Sequence, residues 1–161
     1  MDNFFMKRKA SENKYLHRDF FVSGDIGLKF VGENYGDAGV EEYLTMHAKS
    51  FYKALAEEYA LLGLSAIKAY FEKVYKNEEW LDNLHVEQTE KELKITIDKC
   101  PAITYMKRVG HQVSRWYKQT TYITNKVLAE MCGLDFLVEY YNESDGSTSF
   151  SFFKQEKEGG I

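Results

Sequence analysis

The sequence contains a single proline, Pro101, which directly follows Cys100 at the end of an alternating segment. In residues 92–98 (ELKITID) polar and apolar side chains alternate, which predicts a half-buried strand because successive side chains of a strand point to opposite faces. Proline has no N–H to donate to a neighbouring strand, so the strand is predicted to end here. The sequence therefore predicts a strand-to-helix corner that carries a thiol. A small cysteine that only fills space at this corner is the alternative interpretation.

Two β-hairpins are predicted. The first pairs residues 83–87 with residues 92–98. The second pairs residues 134–141 with residues 148–154, and its connection contains Asp145-Gly146, a dipeptide typical of tight turns. Alternation predicts that two sets of side chains each share one face of a strand: Leu93, Ile95 and Ile97, and Phe136, Val138 and Tyr140.

Helical spacing dominates the remaining segments, and it predicts five helices at about 14–33, 38–62, 65–76, 102–109 and 114–131. Gly36-Asp37 separates the first two. Gly24, Gly27 and Gly32 lower the helix propensity of the first helix, which predicts that a neighbour packs closely against it. The stripes predicted to face inward are Leu16, Phe20, Ser23, Gly27 and Phe30, and then Val40, Leu44, His47, Phe51, Leu55, Glu58 and Leu62.

The element order is three helices, a hairpin, two helices and a hairpin. Strands grouped in antiparallel pairs predict an α+β fold, with the N-terminal helices packed on one antiparallel sheet. The length of 161 residues and the apolar fraction of 44% suit one hydrophobic core. We therefore expect a single domain over residues 1–161, with a helical part at about 14–78 and a sheet-containing part at about 80–155.

Charge and composition exclude several function classes. The net charge is −4, and no Lys/Arg cluster follows Lys7-Arg8-Lys9, so we expect no nucleic-acid partner. Residues 60–67 are too short an uncharged stretch to span a bilayer, and the N-terminus lacks a signal-peptide pattern, so we expect a cytoplasmic protein without a membrane partner. Cys100 and Cys132 form no metal-type pair, which argues against a disulfide scaffold and a structural zinc site.

Short motifs in the second half of the chain carry a resemblance to known families. The order of hairpin, Cys-Pro corner, helix, glycine and hairpin resembles the small-ligand-binding domain of the 4-vinyl reductase type, also seen in haem nitric-oxide sensors and vesicle-tethering subunits. More of the chain resembles the L-2-amino-thiazoline-4-carboxylic acid hydrolase family of bacterial proteins. This second resemblance is carried by Lys99-Cys100-Pro101-Ala102, Thr120-Thr121, Cys132-Gly133, Val138-Glu139-Tyr140-Tyr141, Asp145-Gly146 and Phe150-Ser151-Phe152, with Tyr15–Phe20 compatible with it. It implies hydrolytic opening of a C–N bond in a small cyclic amide or thiazoline compound, without an organic cofactor.

Hydrolysis at a C=N carbon needs a nucleophile, a base that activates it and a proton donor for the departing nitrogen. Cys100 is the candidate nucleophile, and His111, in the glycine turn that follows, is the candidate base. Four further residues offer a cation or a hydroxyl to a substrate: Arg115, Tyr117, Thr120 and Thr124. The structural alternative for this set is a solvated turn histidine, a surface arginine and threonines bonded to their own helix backbone.

A mixed nitrogen–oxygen metal site is a competing interpretation of His17, Asp19, His47 and Glu58. A separation of two residues puts His17 and Asp19 on different faces of a helix, and His47 lies roughly 16 Å from Glu58 along the helix axis. A histidine on an apolar stripe is more often hydrogen-bonded in the core. We therefore predict that no metal is bound.

Three function classes stay open. A hydrolase places Cys100 and His111 within hydrogen-bond distance beside a polar cavity. A non-catalytic sensor has an apolar, aromatic-lined pocket without that pair, and an interaction subunit has a large apolar helix face. Aromatic residues make up 16% of the chain, and the long helices have more apolar surface than four strands cover. We therefore expect a small-molecule ligand, and a homodimer formed through the N-terminal helices.

Overall fold

The computed structural model describes residues 16–155 and shows an α+β fold, as predicted. Five α-helices and one four-stranded sheet follow one another in the order α1 (Leu16–Phe51), α2 (Lys53–Leu62), α3 (Leu64–Asn77), β1 (Leu84–Gln88), β2 (Glu92–Ile97), α4 (Pro101–Arg108), α5 (Gln119–Cys132), β3 (Asp135–Tyr141) and β4 (Thr148–Phe153). A short 3₁₀ turn, Leu81–Asn83, leads into β1. Among the described residues, no helix has the length and apolar character needed to cross a membrane.

The two hairpins form one antiparallel sheet in the order β1-β2-β4-β3. They meet through β2 and β4, the second strand of each hairpin, with Leu93 opposite Phe152 and Ile95 opposite Phe150. Leu93, Ile95 and Ile97 are buried on the face that the helices cover, which confirms the predicted alternation of β2.

One side chain of the predicted β3 face was assigned wrongly. Phe136 and Val138 pair with the buried residues of β4 and face the core, but the register shifts between Val138 and Tyr140. The extra residue, Glu139, forms a β-bulge, which reverses the alternation beyond it. Tyr140 is therefore on the open face, 52% exposed, and Tyr141 takes the inward position instead.

Helix α1 contains a break at Gly36, whose positive φ of 68° lies outside the helical region. The predicted separation of the first two helices at this glycine is confirmed. The predicted helix at 38–62 is divided once more, because α1 ends at Phe51 and α2 begins at Lys53.

The predicted inward faces of the N-terminal helices need correction. Phe20 and Phe30 are 66% and 60% exposed, and the buried side of α1 carries Leu28 and Asp25 instead. The buried stripe that follows runs through Val40, Leu44, Ala48, Tyr52 and Leu55, so His47, Phe51, Glu58 and Leu62 lie outside it and are exposed. The helical period of 3.6 residues fits both the predicted stripe and the neighbouring stripe that is buried. Ala48 is also too small to be recognised as a core residue from the sequence.

The main core lies between the sheet and helices α2, α3 and α5, where Phe71, Phe150 and Phe152 pack together. A smaller cluster joins the two parts of α1 to Trp116, just before α5. There a Cβ on Gly32 would lie 2.4 Å from ring carbons of Trp116, so this glycine fulfils the predicted close packing. Gly24 and Gly27 do not, because among the described residues only neighbouring parts of α1 itself lie within 4 Å of the position of their Cβ.

Candidate functional site

The predicted corner forms where β2 ends. Cys100 is extended (φ −75°, ψ 124°), as a residue before proline prefers, and Pro101 begins α4. The Cys100 N–H donates to the carbonyl of Asp145 at 3.0 Å, which ties the corner to the turn of the second hairpin. At Gly146 of that turn φ is 71°, and a Cβ would lie 2.4 Å from the Cβ of Cys100. The turn requires glycine for both reasons.

The Cys100 thiol belongs to a half-buried residue and lies near the phenols of Tyr75, Tyr117 and Tyr141. Burial raises its pKa, and the backbone N–H groups of Ile103 and Ala102 only partly oppose this effect. Burial also raises the pKa of Tyr117 and of Tyr141, and a negative charge on Cys100 would raise both further. Such surroundings favour the neutral thiol over the thiolate that a cysteine nucleophile needs.

His111 is held by a carboxylate that sequence analysis did not single out. Asp25, on the inward side of α1, is 1% exposed. Its Oδ2 lies 2.8 Å from His111 Nε2 and accepts the Ser114 N–H at 2.9 Å, while its Oδ1 accepts the Ser114 hydroxyl at 2.7 Å. Asp25 thus binds His111 and Ser114 at the same time. Because both residues lie in the loop between α4 and α5, these hydrogen bonds fix that loop to α1.

The arrangement differs from a nucleophile–base pair. In such a pair the histidine contacts the nucleophile, and a third group orients the histidine. Here the described residues show no hydrogen bond between Cys100 and His111. The signal for Asp25 in the sequence was weak, since it is an isolated acidic residue 86 positions before its partner.

The four predicted substrate-binding residues have different surroundings. Arg115 is 73% exposed, pairs with Asp37 at 3.9 Å and lies 4.3 Å above the centre of the Trp116 ring. Tyr117 packs with the α4 cluster next to Cys100. The Thr120 hydroxyl donates to the carbonyl of Tyr117 at 2.7 Å, and the Thr124 hydroxyl donates to the carbonyl of Thr120. Both threonines therefore match the structural alternative.

Arg115 and Tyr117 meet at a polar pocket of about 300 Å³. Its other polar lining residues are Gln112, Ser114, Lys118, Tyr141 and Glu143. Lys118 and Glu143 form an ion pair at 2.5 Å across it. Because both of its cations already have a carboxylate partner, this pocket has little free positive charge for a substrate carboxylate.

The alternative metal site gains no support. The side chains of His17 and Asp19 lie outside the described residues. His47 is stacked between the rings of Tyr43 and Phe51, with centroid distances of 6.4 and 5.6 Å. No group of three or more His, Cys, Asp and Glu side chains in the described part of the chain is arranged to hold a metal ion.

A larger cleft of about 660 Å³ lies between α1, α5 and β3. Its apolar lining residues are Val40, Trp116, Ile123, Val127, Phe136, Leu137 and Val138. Its polar lining residues are Asp37, Glu41, Thr45, Gln119, Tyr122, Lys126 and Glu130. Sequence analysis missed this cleft, because its three walls are far apart in the chain and none of them has a distinctive motif.

Comparison of the chain with models of protein families, with curated proteins and with solved structures finds no match.

Proposed function

We propose that this protein is a small-ligand-binding module whose ligand occupies the cleft between α1, α5 and β3. The observation that carries the proposal is the size and lining of this cleft. Its volume of about 660 Å³ falls within the range of about 300–1,000 Å³ that is usual for small-molecule sites. Seven apolar and seven polar residues line the cleft, so it combines apolar contact area with groups that can orient a ligand.

The charges at the rim indicate the ligand class. Lys126 pairs with Glu130 at 3.9 Å, and Arg115 pairs with Asp37 at the same distance. Glu41 forms no ion pair within residues 16–155, so it leaves one uncompensated negative charge at the cleft. We therefore propose an aromatic or aliphatic ligand that carries an amine or another cationic group.

Hydrolysis of a cyclic C–N bond by Cys100 and His111 remains a prediction from the resemblance. Two observations support binding over hydrolysis. Burial raises the pKa of the Cys100 thiol, and the His111 Nε2 contacts Asp25 rather than the thiol.

Two probes of similar size and opposite charge test the proposal, namely phenethylamine and 3-phenylpropionate. Titration of ¹⁵N-labelled protein should give chemical-shift changes at the cleft with the amine, and weaker ones with the carboxylate. Glu41→Lys should weaken amine binding at least tenfold. Glu42→Lys makes the same charge change at the next exposed position, which does not line the cleft, and should leave binding unchanged.

A second variant tests the volume of the cleft independently of charge. Thr45 lines the cleft from α1, so Thr45→Trp should narrow it and weaken binding of both probes. Shift changes confined to the polar pocket around Tyr117 would refute the proposal. So would equal affinities of the parent protein for the two probes that Glu41→Lys leaves unchanged.

A further inference from the structure

Strand β3 lies at one edge of the sheet, and its outer edge borders the cleft between α1, α5 and β3. Three consecutive residues of β3, Phe136, Leu137 and Val138, line this cleft. Successive side chains of a strand point to opposite faces, so three in a row line one cleft only where the cleft reaches the edge of the strand. Within residues 16–155 no other strand pairs with this edge.

The hydrogen bonds of the sheet show which backbone groups of β3 point outward. Just beyond β4, the Lys154 N–H donates to the carbonyl of Lys91 on the β2 side at 2.9 Å. Successive residues of an antiparallel strand direct their backbone groups to opposite edges, so Ser151, three residues earlier, directs its groups to β3. Leu137, opposite Ser151, therefore bonds to β4. The N–H and C=O groups of its two neighbours point away from the sheet, into the cleft.

This edge lacks the usual protection of an exposed edge strand. Natural edge strands avoid pairing with other chains by means of charged side chains, prolines or a covering element. Residues 136–138 carry no charge, and Leu137 is 53% exposed. On β1, the other edge strand, His85 and Glu87 are exposed charged or titratable residues. The outer edge of β3 is therefore suited to pairing with another extended chain.

We infer that the partner of this cleft is an extended peptide segment of another protein, which pairs with the outer edge of β3 and places a lysine or arginine side chain at Glu41. The inference rests on the proposed function, because it names the partner of the same cleft. The outward backbone groups of Phe136 and Val138 match those of a peptide main chain. Residues paired with these two would direct their side chains to the face that the helices cover. There Glu41 has no ion-pair partner in the described part of the chain, and Ile123 and Val127 provide apolar contacts.

A second copy of this chain fits the edge less well. The charged residues that line the cleft are Asp37, Glu41, Glu130 and Lys126, so its lining has a net charge of −2 (1 − 3). Pairing two β3 edges about a two-fold axis would bring two such clefts together, and like charges at an interface oppose association. A segment with a basic side chain has the complementary charge.

Calorimetric titration with an acetylated and amidated Thr-Lys-Thr-Leu-Thr peptide tests the inference. When this chain is extended, its lysine and leucine lie on one side. The peptide should bind at least tenfold more tightly than phenethylamine. N-methylation of the leucine and of the central threonine should have unequal effects, because neighbouring N–H groups of an extended chain point to opposite sides. One methylation should weaken binding at least fivefold, and the other should leave it nearly unchanged.

Val138→Pro removes one outward N–H of the β3 edge and leaves the hydrogen bonds to β4 in place. It should abolish peptide binding and retain phenethylamine binding, because the amine needs only Glu41 and the apolar wall. Val86→Pro is the matched control on β1. The Thr89 N–H donates to the carbonyl of Glu92 at 2.8 Å, so the same alternation gives Val86 an outward position. This variant should bind the peptide as the parent protein does.

Several outcomes overturn the inference. Peptide affinity that both methylations change equally, or that neither changes, excludes pairing of the main chains, and this test uses the parent protein alone. Peptide binding that Val138→Pro leaves intact excludes the β3 edge. A dimer that Val138→Pro converts to the chain mass of 18.8 kDa shows that a second copy occupies the edge. Phenethylamine binding without peptide binding overturns this inference and leaves the proposed function standing, whereas absence of both overturns both.

Discussion

Two His–Asp pairs in the described part of the chain have nearly equal lengths but differ in burial, and this difference predicts different effects on stability. His111 and Asp25 are 2.8 Å apart with side-chain exposures of 19% and 1%, while His85 and Asp98 are 2.7 Å apart with exposures of 55% and 53%. We expect Asp25→Ala to lower the free energy of unfolding far more than Asp98→Ala.

The magnitude follows from the hydrogen bonds that each aspartate accepts. Asp25 accepts three, and a hydrogen bond to a charged group contributes about 1.5–3 kcal/mol. Because His111 is near enough to solvent to be partly rehydrated, we expect a loss of about 3–5 kcal/mol rather than the full sum. An exposed ion pair contributes about 0–1 kcal/mol, which sets the expectation for Asp98→Ala.

Urea unfolding at pH 7, followed by far-UV circular dichroism, measures both losses. Equal m-values for the variants and the parent protein would show that the compared states are the same. If Asp25→Ala does not fold, Asp25→Asn keeps the shape and part of the hydrogen bonding and should give an intermediate loss. A loss below about 1 kcal/mol for Asp25→Ala, or equal losses for the two alanine variants, would refute the reasoning.

Three further predictions concern the corner and the open face of the sheet. Alkylation of Cys100 should have a pH midpoint above the ordinary thiol value of about 8.5, since burial raises its pKa; a lower midpoint would contradict this. Gly146→Ala should destabilise the fold by more than about 2 kcal/mol in urea unfolding, whereas Gly24→Ala should cost nothing. The hydrogen bond from Lys94 lowers the pKa of Glu139, so this pair stabilises the fold above the unfolded pKa of about 4.3 and is lost as pH falls through the lower folded value. Lys94→Gln should raise the Glu139 midpoint in an NMR titration, and an unchanged midpoint would count against the pair.

The parts of the fold that followed from sequence are those with local signals. The alternation in β2, the Asp145-Gly146 turn and the Gly36 break each act over a few residues, and all three are present. The Glu139 bulge was not predictable in this way, because one extra residue leaves no mark in composition.

The candidate site is formed by contacts between residues that are distant in the sequence, and no local sequence pattern indicates such contacts. Phe20 and Phe30 are apolar but exposed, since burial follows from what packs on a helix and not from residue type alone. Asp25 and His111 come together only because α4 packs on α1. The raised pKa of the Cys100 thiol likewise follows from burial by distant parts of the chain.

The pairing of β2 with β4 at the centre of the sheet affects how the molecule folds. The paired residues range from Ile97 with Thr148 to Glu92 with Phe153, so they are 51 (148 − 97) to 61 (153 − 92) positions apart. Each hairpin closes locally, but an isolated two-stranded hairpin is only marginally stable in water. The sheet therefore becomes stable only after α4 and α5 bring β3 and β4 against β2, and the entropy cost of that long loop closure slows folding relative to an all-helical chain of equal length. A nascent chain that ends before β3 cannot complete the core, which makes folding of the whole domain a late, cooperative event.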